Sequence, residues 1–344
     1  MKPNLLFEHL IAKKNLNPEQ MQAVIHACMS GQYNDVQIAT FLALMRMKGE
    51  TTDELIAAAE VMQQLAHPIE LGTNLIDIVG TGGDGKNTFN VSTACSFVVA
   101  AAGYPVAKHG NRSVSSRSGS ADLLEQAGFI LNLSEPQIKT CIQQYGLAFL
   151  FAPHYHPAMQ HARTARQQLG IRTLFNLLGP LINPARVKKQ VVGVFSTAWQ
   201  KPLATVLAHL GSERALVVSS QDGLDEVSIA APTDVIEYRE GTFNHWVINP
   251  EDYNIKHHSL NEVIVDSPAQ SLDLIQTVFS GKQGAARDMV LLNSAAAIYC
   301  AHGDISFIHA LEQAKLVIDN GKAIHCFTQL SQLTQTLNKE SHHE

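Results

Sequence analysis

The sequence has no long apolar run, few aromatic residues and no excess of positive charge. Aromatic residues make up 6% and charged residues 16% of the 344 positions, and the formal net charge is −6. An acidic balance argues against a general nucleic-acid binder. The apolar stretch 97–103 is too short to cross a bilayer, and the first residues lack the apolar core of a secretory signal. We therefore expect a cytoplasmic protein with no membrane or nucleic-acid partner.

The sequence also lacks the spacings that mark disulfides, zinc sites and common catalytic sets. Its five cysteines are scattered and odd in number, without C-x-x-C spacing, which favours reduced thiols in cores. Its 16 histidines include no H-E-x-x-H motif. No Ser-His-Asp order, activated cysteine or glycosidase-type carboxylate pair can be assigned, so no catalytic residue is predicted. Reactions that depend on positioning and charge stabilisation are therefore favoured.

The chain changes periodicity near residue 70. Up to His67 the apolar residues follow helical spacing, and the capping box Thr51-x-x-Glu54 marks one helix start. After residue 75, strand and helix patterns alternate, which implies a largely parallel sheet with helices on its faces. We predict an α/β protein with a small helical N-terminal domain (1–70, joined by part of 155–187). The larger domain, 71–344, has a mostly parallel central sheet flanked by helices.

Nine short runs have the composition of β-strands. Five of them belong to the predicted parallel sheet: 75–79, 105–108, 148–151, 190–195 and 215–219. Three are predicted to be antiparallel: 227–230, 235–238 and 243–247. The last is a short strand near 323–327.

The helices before His67 carry more apolar surface than one small unit can bury. Their faces, which include Phe41 and Leu42, need either the larger domain or a second subunit as a partner. We predict that they form a dimer interface.

Twice between residues 75 and 128, a strand ends in a Gly/Ser-rich loop that opens a helix. The first loop begins Gly80-Thr81-Gly82-Gly83-Asp84, and the second begins Lys108-His109-Gly110-Asn111-Arg112. Glycines let the backbone approach a ligand, and successive N–H groups and helix N-termini bind anions. Such loops lie beyond the carboxyl ends of parallel strands, where ligands bind. The pair therefore predicts a site for a ligand with several phosphate groups.

The first loop matches two familiar nucleotide-binding motifs only in part. Residues 80–87 have Walker A spacing, but Asn87 stands where Ser or Thr would hold Mg²⁺. The glycines also fit G-x-G-x-x-G, yet the next strand ends in Lys108 rather than in an acid that takes a ribose. A standard ATPase or nicotinamide dehydrogenase is therefore disfavoured.

Two further groups of residues suit a phosphorylated substrate. Asp225 and Glu226 follow a strand, and such carboxylates typically hold Mg²⁺ against substrate phosphates; a solvated turn is the alternative. No Lys or Arg is adjacent to compensate their charge. Arg166 has the planar fork that binds a carboxylate, with a solvated helix face as the alternative. For Arg163 the solvated face is favoured.

Together these motifs resemble the anthranilate phosphoribosyltransferase family over nearly the whole chain. The resemblance is carried by residues 46–51, 80–84, 90–93, 108–113, 116–125, 175–184, 225–226 and 287–297. It implies transfer of the phosphoribosyl group of 5-phosphoribosyl 1-pyrophosphate (PRPP) to anthranilate in tryptophan biosynthesis, with Mg²⁺, by a homodimer. Because Gly-Thr-Gly-Gly-Asp is shared with pyrimidine nucleoside phosphorylases, such an enzyme is one alternative. A non-catalytic nucleic-acid-binding relative of the same fold is the other.

The resemblance also implies three sets of ligand contacts. Ser92, Asp225 and Glu226 would hold Mg²⁺. Gly80, Asn111 and Arg166 would contact anthranilate, with His109 nearby. Residues of the two loops and helix starts would bind PRPP: Gly80, Gly83, Asp84, Thr88, Asn90, Val91, Ser92, Thr93, Lys108, His109, Gly110, Asn111, Arg112, Ser113, Val114, Ser115, Ser116 and Ser120. The chain departs from the family before the acidic pair, where Val218-Ser219-Ser220-Gln221 replaces the frequent Val-His-Gly.

Overall fold

The computed structural model describes residues 1–113 and 117–340. The chain begins with four helices, α1 (Pro3–Ile11), α2 (Pro18–Met29), α3 (Asp35–Lys48) and α4 (Thr52–Leu65). Asn17, Asn34 and Thr51 each start a helix with a reciprocal capping box, which satisfies backbone donors that would otherwise be unpaired. These helices pack around one apolar core that includes Leu42 and Met62.

A seven-stranded sheet forms the centre of the rest of the chain, in the order β3-β2-β1-β4-β5-β6-β7. The first five of these positions are parallel, and β6 and β7 are antiparallel. The mostly parallel sheet predicted from the sequence is therefore confirmed. The strands are β1 (Ile76–Gly80), β2 (Val106–Gly110), β3 (Leu147–Phe151), β4 (Lys189–Gly193), β5 (Arg214–Ser220), β6 (Thr233–Arg239) and β7 (Thr242–Ile248).

Helices connect the strands and cover both faces of the sheet, as a parallel sheet requires. In chain order they are α5 (Val91–Ala101), α6 (Ser120–Gln126), α7 (Glu135–Tyr145), α8 (Ala152–Tyr155), α9 (Gln160–Leu169), α10 (Leu174–Leu178), α11 (Gln200–His209), α12 (Pro268–Phe279), α13 (Ala285–His302), α14 (Phe307–Asp319) and α15 (Lys322–Glu340). None of the helices in the described part of the chain has the length and apolarity needed to span a membrane.

Two predicted strands are wrong. Residues 227–230 form an irregular segment, because the amide of Asn293 on α13 takes the place of a neighbouring strand. Its Oδ1 accepts from the Val227 N–H at 2.8 Å, and its Nδ2 donates to the Val227 carbonyl at 2.8 Å. Residues 323–327 belong to α15, where Ala323, Phe327 and Leu330 are buried at helical spacing.

The segment between β3 and β4 packs against the N-terminal helices. Helix α9 lies on α2 and α3, and its Ala162 and Ala165 are buried in the same core as Leu42. This packing agrees with a helical domain completed by part of 155–187, and the domain boundaries themselves stay a prediction. Phe41 and Leu42 are fully buried in that core, so their predicted place on a dimer interface is wrong.

Candidate functional site

A large cavity lies where the sheet changes its winding direction. The chain proceeds from β1 outward through β2 to β3, then returns to β4 on the other side of β1. Such a switch point leaves a crevice at the carboxyl ends of the central strands. A cavity of about 720 Å³ opens there, lined by both predicted phosphate loops, by parts of 151–182 and by the acidic pair. Its volume suits a ligand as large as a phosphorylated sugar and an aromatic acceptor together.

Two glycines at the ends of β1 and β4 make room for the acidic segment. Gly80 and Gly193 are paired across the strands. A Cβ on Gly193 would lie 1.5 Å from the Asp225 carbonyl oxygen, and one on Gly80 would lie 2.7 Å from Asp225 Oδ2. The Gly82 N–H donates to that same Oδ2 at 2.7 Å. Because Gly80 and Gly193 have no side chains, Asp225 can pack against the ends of β1 and β4, within hydrogen-bond distance of the first loop.

The acidic pair is crowded with negative charge. Burial raises the pKa of Asp225 to about 7, and the neighbouring carboxylate of Asp84 adds to the rise. Burial and the charges of Asp225 and Asp84 likewise hold the pKa of Glu226 well above its ordinary value. Glu226 Oε1 accepts from the Ser92 N–H at 3.2 Å, while its buried Oε2 has no hydrogen-bond partner among the described residues. A cation bound here would relieve this repulsion and occupy the unpaired oxygen.

Lys108 supplies a positive charge that the sequence does not reveal near the acidic pair. Its buried ammonium group donates to the Ile78 carbonyl at 2.7 Å and to Ser92 Oγ at 3.1 Å. Burial lowers the Lys108 pKa, and Asp77 and Glu226 oppose this effect. Lys108 therefore connects β2 to β1 and to the start of α5 at the cavity wall, in addition to any contact with a ligand.

Asp77 is a buried acid that sequence analysis missed. Its carboxylate accepts from the His109 N–H at 3.3 Å and from Asn183 Nδ2 at 2.8 Å. Burial raises its pKa to about 6, opposed by the charge of Lys108 and the Asn183 hydrogen bond. The signal was present as one acid inside the apolar run of β1. Through Asp77, these hydrogen bonds connect His109 of the second loop to Asn183, which lies between α10 and β4.

Two neutral histidines line the cavity. The rings of His109 and His156 are 5.2 Å apart. Burial lowers the pKa of His109 to about 3, with a further contribution from His156, and lowers that of His156 to about 4. Three of their ring nitrogens, His109 Nε2 and both nitrogens of His156, are buried without a partner in the described chain. These are uncharged polar groups available to an acceptor molecule.

Arg166 contributes a cation to the cavity lining. It is half-buried on α9, and its guanidinium lies 5.6 Å from the ring centroid of Phe175. Burial lowers its pKa. No hydrogen bond or ion pair of its guanidinium is found among residues 1–113 and 117–340. Arg163, one turn earlier, is exposed at the cavity mouth, as the sequence predicts.

Arg112 is differently engaged. Its guanidinium pairs with Glu125 at 2.5 Å and lies 4.8 Å above the ring of Phe151. Both ion-pair partners are about half exposed, so this pair is weak, and its charge is available to a phosphate group near the second loop.

A contact chain links the N-terminal helices to the first loop. Arg46 at the end of α3 donates to the Arg172 carbonyl at 2.5 Å. The Arg172 guanidinium stacks 3.9 Å above the Phe195 ring. Its Cδ would lie 2.8 Å from a Cβ on Gly83, which has a φ of +76°. Gly83 therefore has both a conformational and a steric reason to lack a side chain.

Most of the predicted ligand contacts converge on this cavity. Val91 and Thr93 instead lie buried behind its wall, where Thr93 Oγ1 donates to Ser120 Oγ at 3.1 Å. Val114, Ser115 and Ser116 lie outside the described residues. The predicted ligand contacts that do line the cavity are Gly80, Gly83, Asp84, Thr88, Asn90, Ser92, Lys108, His109, Gly110, Asn111, Arg112, Ser113, Ser120, Arg166, Asp225 and Glu226.

The residues 218–221, which differ from the Val-His-Gly frequent in the family, still lead into a hydrogen-bonded turn before the acidic pair. The Ser220 N–H donates to the Leu224 carbonyl at 3.1 Å, and the Gln221 N–H donates to the Pro232 carbonyl at 3.0 Å. These backbone bonds hold the turn that delivers Asp225 without any histidine.

The acids do not form a complete metal cage. Within the described ranges, no cluster of three or more His, Cys, Asp or Glu side chains could hold a metal ion by itself. A Mg²⁺ ion at Asp225 and Glu226 would therefore need oxygens from a bound ligand, which is how Mg²⁺ usually binds with substrate phosphates.

Comparison with known proteins decides the family. A glycosyl transferase family model of a helical bundle domain matches residues 5–66, and one of an a/b domain matches residues 72–324. An anthranilate phosphoribosyltransferase of Legionella pneumophila (strain Corby) is 74% identical over 344 residues, which cover both chains in full. The chain belongs to the anthranilate phosphoribosyltransferase family. This assignment confirms the family and the main function predicted from the sequence.

Solved structures of the family have the same fold. The anthranilate phosphoribosyltransferase of Thermus thermophilus matches with a TM-score of 0.88 at 36% identity, covering 96% of this chain and 99% of that one. The Saccharomyces cerevisiae enzyme in complex with PRPP and Mg matches with a TM-score of 0.87 at 25% identity, covering 97% and 98%. The predicted helical domain and mostly parallel α/β domain are thus confirmed as the family fold.

Proposed function

We propose that the chain transfers the phosphoribosyl group of PRPP to the amino group of anthranilate, releasing pyrophosphate, as a step of tryptophan biosynthesis. The observation that carries the proposal is one cavity whose lining contains two chemically different groups of residues. Anion-binding loops and an acidic pair form the first group, and the guanidinium of Arg166 with the two neutral histidines His109 and His156 forms the second. A phosphorylated donor and a carboxylate-bearing aromatic acceptor match these two groups.

The donor would lie against the first group of residues. The starts of α5 and α6 line the cavity through Asn90, Ser92 and Ser120, and helix N-termini attract phosphate oxygens. The glycines of the first loop would allow the backbone to approach the pyrophosphate closely. The exposed guanidinium of Arg112, together with the second loop, would bind the sugar phosphate. The side chains of Val91 and Thr93 are buried, so in this proposal the two residues would contribute only through their backbone at the start of α5. Residues 114–116 are also part of this proposal.

Asp225, Glu226 and Ser92 are proposed to hold Mg²⁺. The buried Glu226 Oε2, which lacks a partner in the described chain, and the raised pKa values of both acids support this assignment, because a cation would stabilise their charged forms. When bound, Mg²⁺ would neutralise charge on the departing pyrophosphate. The Mg complex of the yeast relative is consistent with this choice.

The acceptor would lie against the second group of residues, with its carboxylate paired to the guanidinium of Arg166 and its ring near Gly80, Asn111 and His109. In the reaction, a C1–N bond forms as the C1–O bond to pyrophosphate breaks. The low pKa values of His109 and His156 make both weak bases. We therefore assign the released amine proton to solvent and the catalysis to positioning and charge stabilisation.

One assay tests this proposal. The purified chain, incubated with PRPP, Mg²⁺ and anthranilate, should remove anthranilate fluorescence and release one pyrophosphate per anthranilate consumed. Omission of PRPP is the control. Phosphorolysis of a pyrimidine nucleoside, or nucleic-acid binding without anthranilate turnover, would contradict the proposal and favour the corresponding alternative.

We also propose a homodimer formed through α1 and α3. Val36 and Met47 on α3 are 73% and 78% exposed, and Leu5 on α1 is 59% exposed. Large apolar side chains grouped on neighbouring helices favour burial against a second copy. A cytoplasmic location is proposed because all five cysteines are buried and unpaired, which suits a reducing compartment.

A further inference from the structure

A hydroxyl on α12 is hydrogen-bonded twice to the residue that precedes α5. Ser271 is fully buried. Its Oγ accepts from the Asn90 backbone N–H at 2.9 Å and donates to Asn90 Oδ1 at 2.8 Å. Both roles of the hydroxyl are therefore used on a single residue of the cavity wall.

The same Asn90 side chain continues the connection to the second loop. Its Nδ2 donates to the Ser118 carbonyl at 3.1 Å, and Ser118 Oγ donates to Asn90 Oδ1 at 2.7 Å. Ser118 lies just before α6. Asn90 Oδ1 thus accepts from two hydroxyl groups, one on each side, which fills both of its lone pairs.

This arrangement matters because α5 and α6 both start at the cavity. Asn90 occupies the N-cap position of α5, but its side chain does not cap that helix. Its amide group instead joins α12 to the residues before α6. One buried hydroxyl outside both loops therefore contributes to the relative position of the two helix starts, in addition to the direct hydrogen bond from Thr93 to Ser120.

Neighbouring contacts show that the segment before α12 follows the same wall. The Phe89 N–H donates to the Val263 carbonyl at 2.9 Å, and the Val265 N–H donates to the Asn87 carbonyl at 2.9 Å. Asp266 forms an ion pair with Arg117 of the second loop. Segment 263–271 therefore contacts both loops and can hold them in a fixed relation.

We infer that Ser271 is a positioning residue for PRPP binding: through Asn90 it sets the relation between the N-termini of α5 and α6. This inference rests on the proposed function. Ser271 does not line the cavity, so it acts without touching the substrate. Its loss should weaken PRPP binding and leave anthranilate binding, which is proposed to depend on Arg166, nearly unchanged.

The test compares Ser271→Ala with a matched control, Ser331→Ala. Ser331 is also a buried helical serine, and its Oγ donates to the Ala127 carbonyl at 3.1 Å, away from the cavity. Steady-state kinetics should show the KM for PRPP raised roughly threefold to tenfold in Ser271→Ala, the range expected for lost buried hydrogen bonds. Its anthranilate KM should stay within about twofold, and Ser331→Ala should change neither constant. Equal changes in both KM values, or none relative to the control, would overturn the inference.

A double-mutant cycle with Ser118→Ala gives an independent readout. Both hydroxyls donate to Asn90 Oδ1, so their effects on the PRPP KM should be non-additive. Additive effects would contradict a shared route through Asn90. If Ser271→Ala does not fold, Ser271→Thr, which keeps the hydroxyl, is expected to fold with a PRPP KM near that of the natural chain, and a large rise in that variant would count against the inference.

The baseline separates this inference from the proposed function. If the natural chain fails to consume anthranilate and PRPP, the proposed function fails. If the natural chain is active and Ser271→Ala shows no selective change in PRPP KM, only the positioning role fails.

Discussion

Arg166 and Arg163 lie one turn apart on α9 and have different surroundings. Arg166 is half-buried without a described acceptor, whereas Arg163 is exposed. We expect Arg166→Ala to raise the KM for anthranilate about tenfold, since a hydrogen bond to a charged group contributes roughly 1.5–3 kcal/mol. Arg163→Ala is the matched control and should change that KM by less than about twofold. Steady-state kinetics with each substrate varied in turn provide the measurement.

An unchanged anthranilate KM in Arg166→Ala, together with a raised PRPP KM, would move this arginine to the phosphate end. If Arg166 acts by ground-state binding alone, kcat should hold; if it also orients the amine, kcat should fall as well.

Asp225 and Glu226 are expected to matter for activity and not for folding. The double variant Asp225→Asn with Glu226→Gln should lose most activity, because neutral amides bind Mg²⁺ far less well than carboxylates. Its thermal midpoint at neutral pH should not fall, since the raised pKa values indicate that the charged carboxylates are unfavourable there. Kinetics over a Mg²⁺ series and a thermal melt measure the two effects. Full activity at ordinary Mg²⁺ would refute the assignment.

At this scale the sequence predicts which residues line the cavity better than which residues they contact. The acidic pair, Arg166 and both loops are recognisable because motif residues are adjacent in the chain. The link from Lys108 to Ser92, and that from Asp77 to Asn183, join residues distant in sequence, so neither could be predicted from spacing. They arise from strand order.

The ends of β1 and β4 determine where the acidic segment lies. Gly193→Ala would place a methyl group 1.5 Å from the Asp225 carbonyl oxygen, so the segment must move. We expect activity to fall about a hundredfold or more, the effect of misplacing a catalytic group by about 1 Å. Gly179→Ala, whose added methyl meets nothing within 4 Å, is the control for stability. A fully active Gly193→Ala variant would show that the segment tolerates displacement.

Element types follow local patterns closely where the pattern is long. Capping residues identify the starts of α2 and α4, and all five predicted parallel strands are found. The two wrong strands are short apolar runs, in which strand and helix cannot be separated by periodicity. For 227–230, the deciding partner is Asn293, more than sixty residues away, and the sequence contains no local sign of it.

Among the described residues, the two most exposed large apolar side chains, Val36 and Met47, lie on α3. Replacing Val36 and Met47 together with aspartate should give a folded monomer, because both side chains are solvent-exposed within one chain. Neither Val36 nor Met47 lines the cavity, so activity per chain should be retained. Sedimentation velocity measures the state, and Leu316→Asp, at an exposed site on α14, is the control. A natural chain that sediments as a monomer at micromolar concentration would contradict the dimer.

The sequence predicts the presence of surplus apolar surface on the N-terminal helices and assigns it to the wrong side chains. Phe41 and Leu42 look like surface candidates only while the contribution of α9 and α10 is unknown. These two helices come from residues 160–178 and cover that face. Burial of a helix face depends on partners far along the chain, which periodicity does not contain.

The contact from Arg46 through Arg172 to Gly83 has a consequence for the time scale on which the first loop opens. On the helical side, Arg172 packs against the loop backbone at Gly83, so small movements of α3 against the sheet should be transmitted to the loop. Hydrogen–deuterium exchange should therefore be faster at amides 82–85 in Arg172→Ala, and to a smaller degree in Arg46→Ala, with Arg163→Ala unchanged. If the loop exchanges at the same rate in all three variants, its opening is independent of the helices. Faster exchange would mean that motion of the N-terminal helices influences the rate at which the backbone of the first loop becomes accessible to solvent.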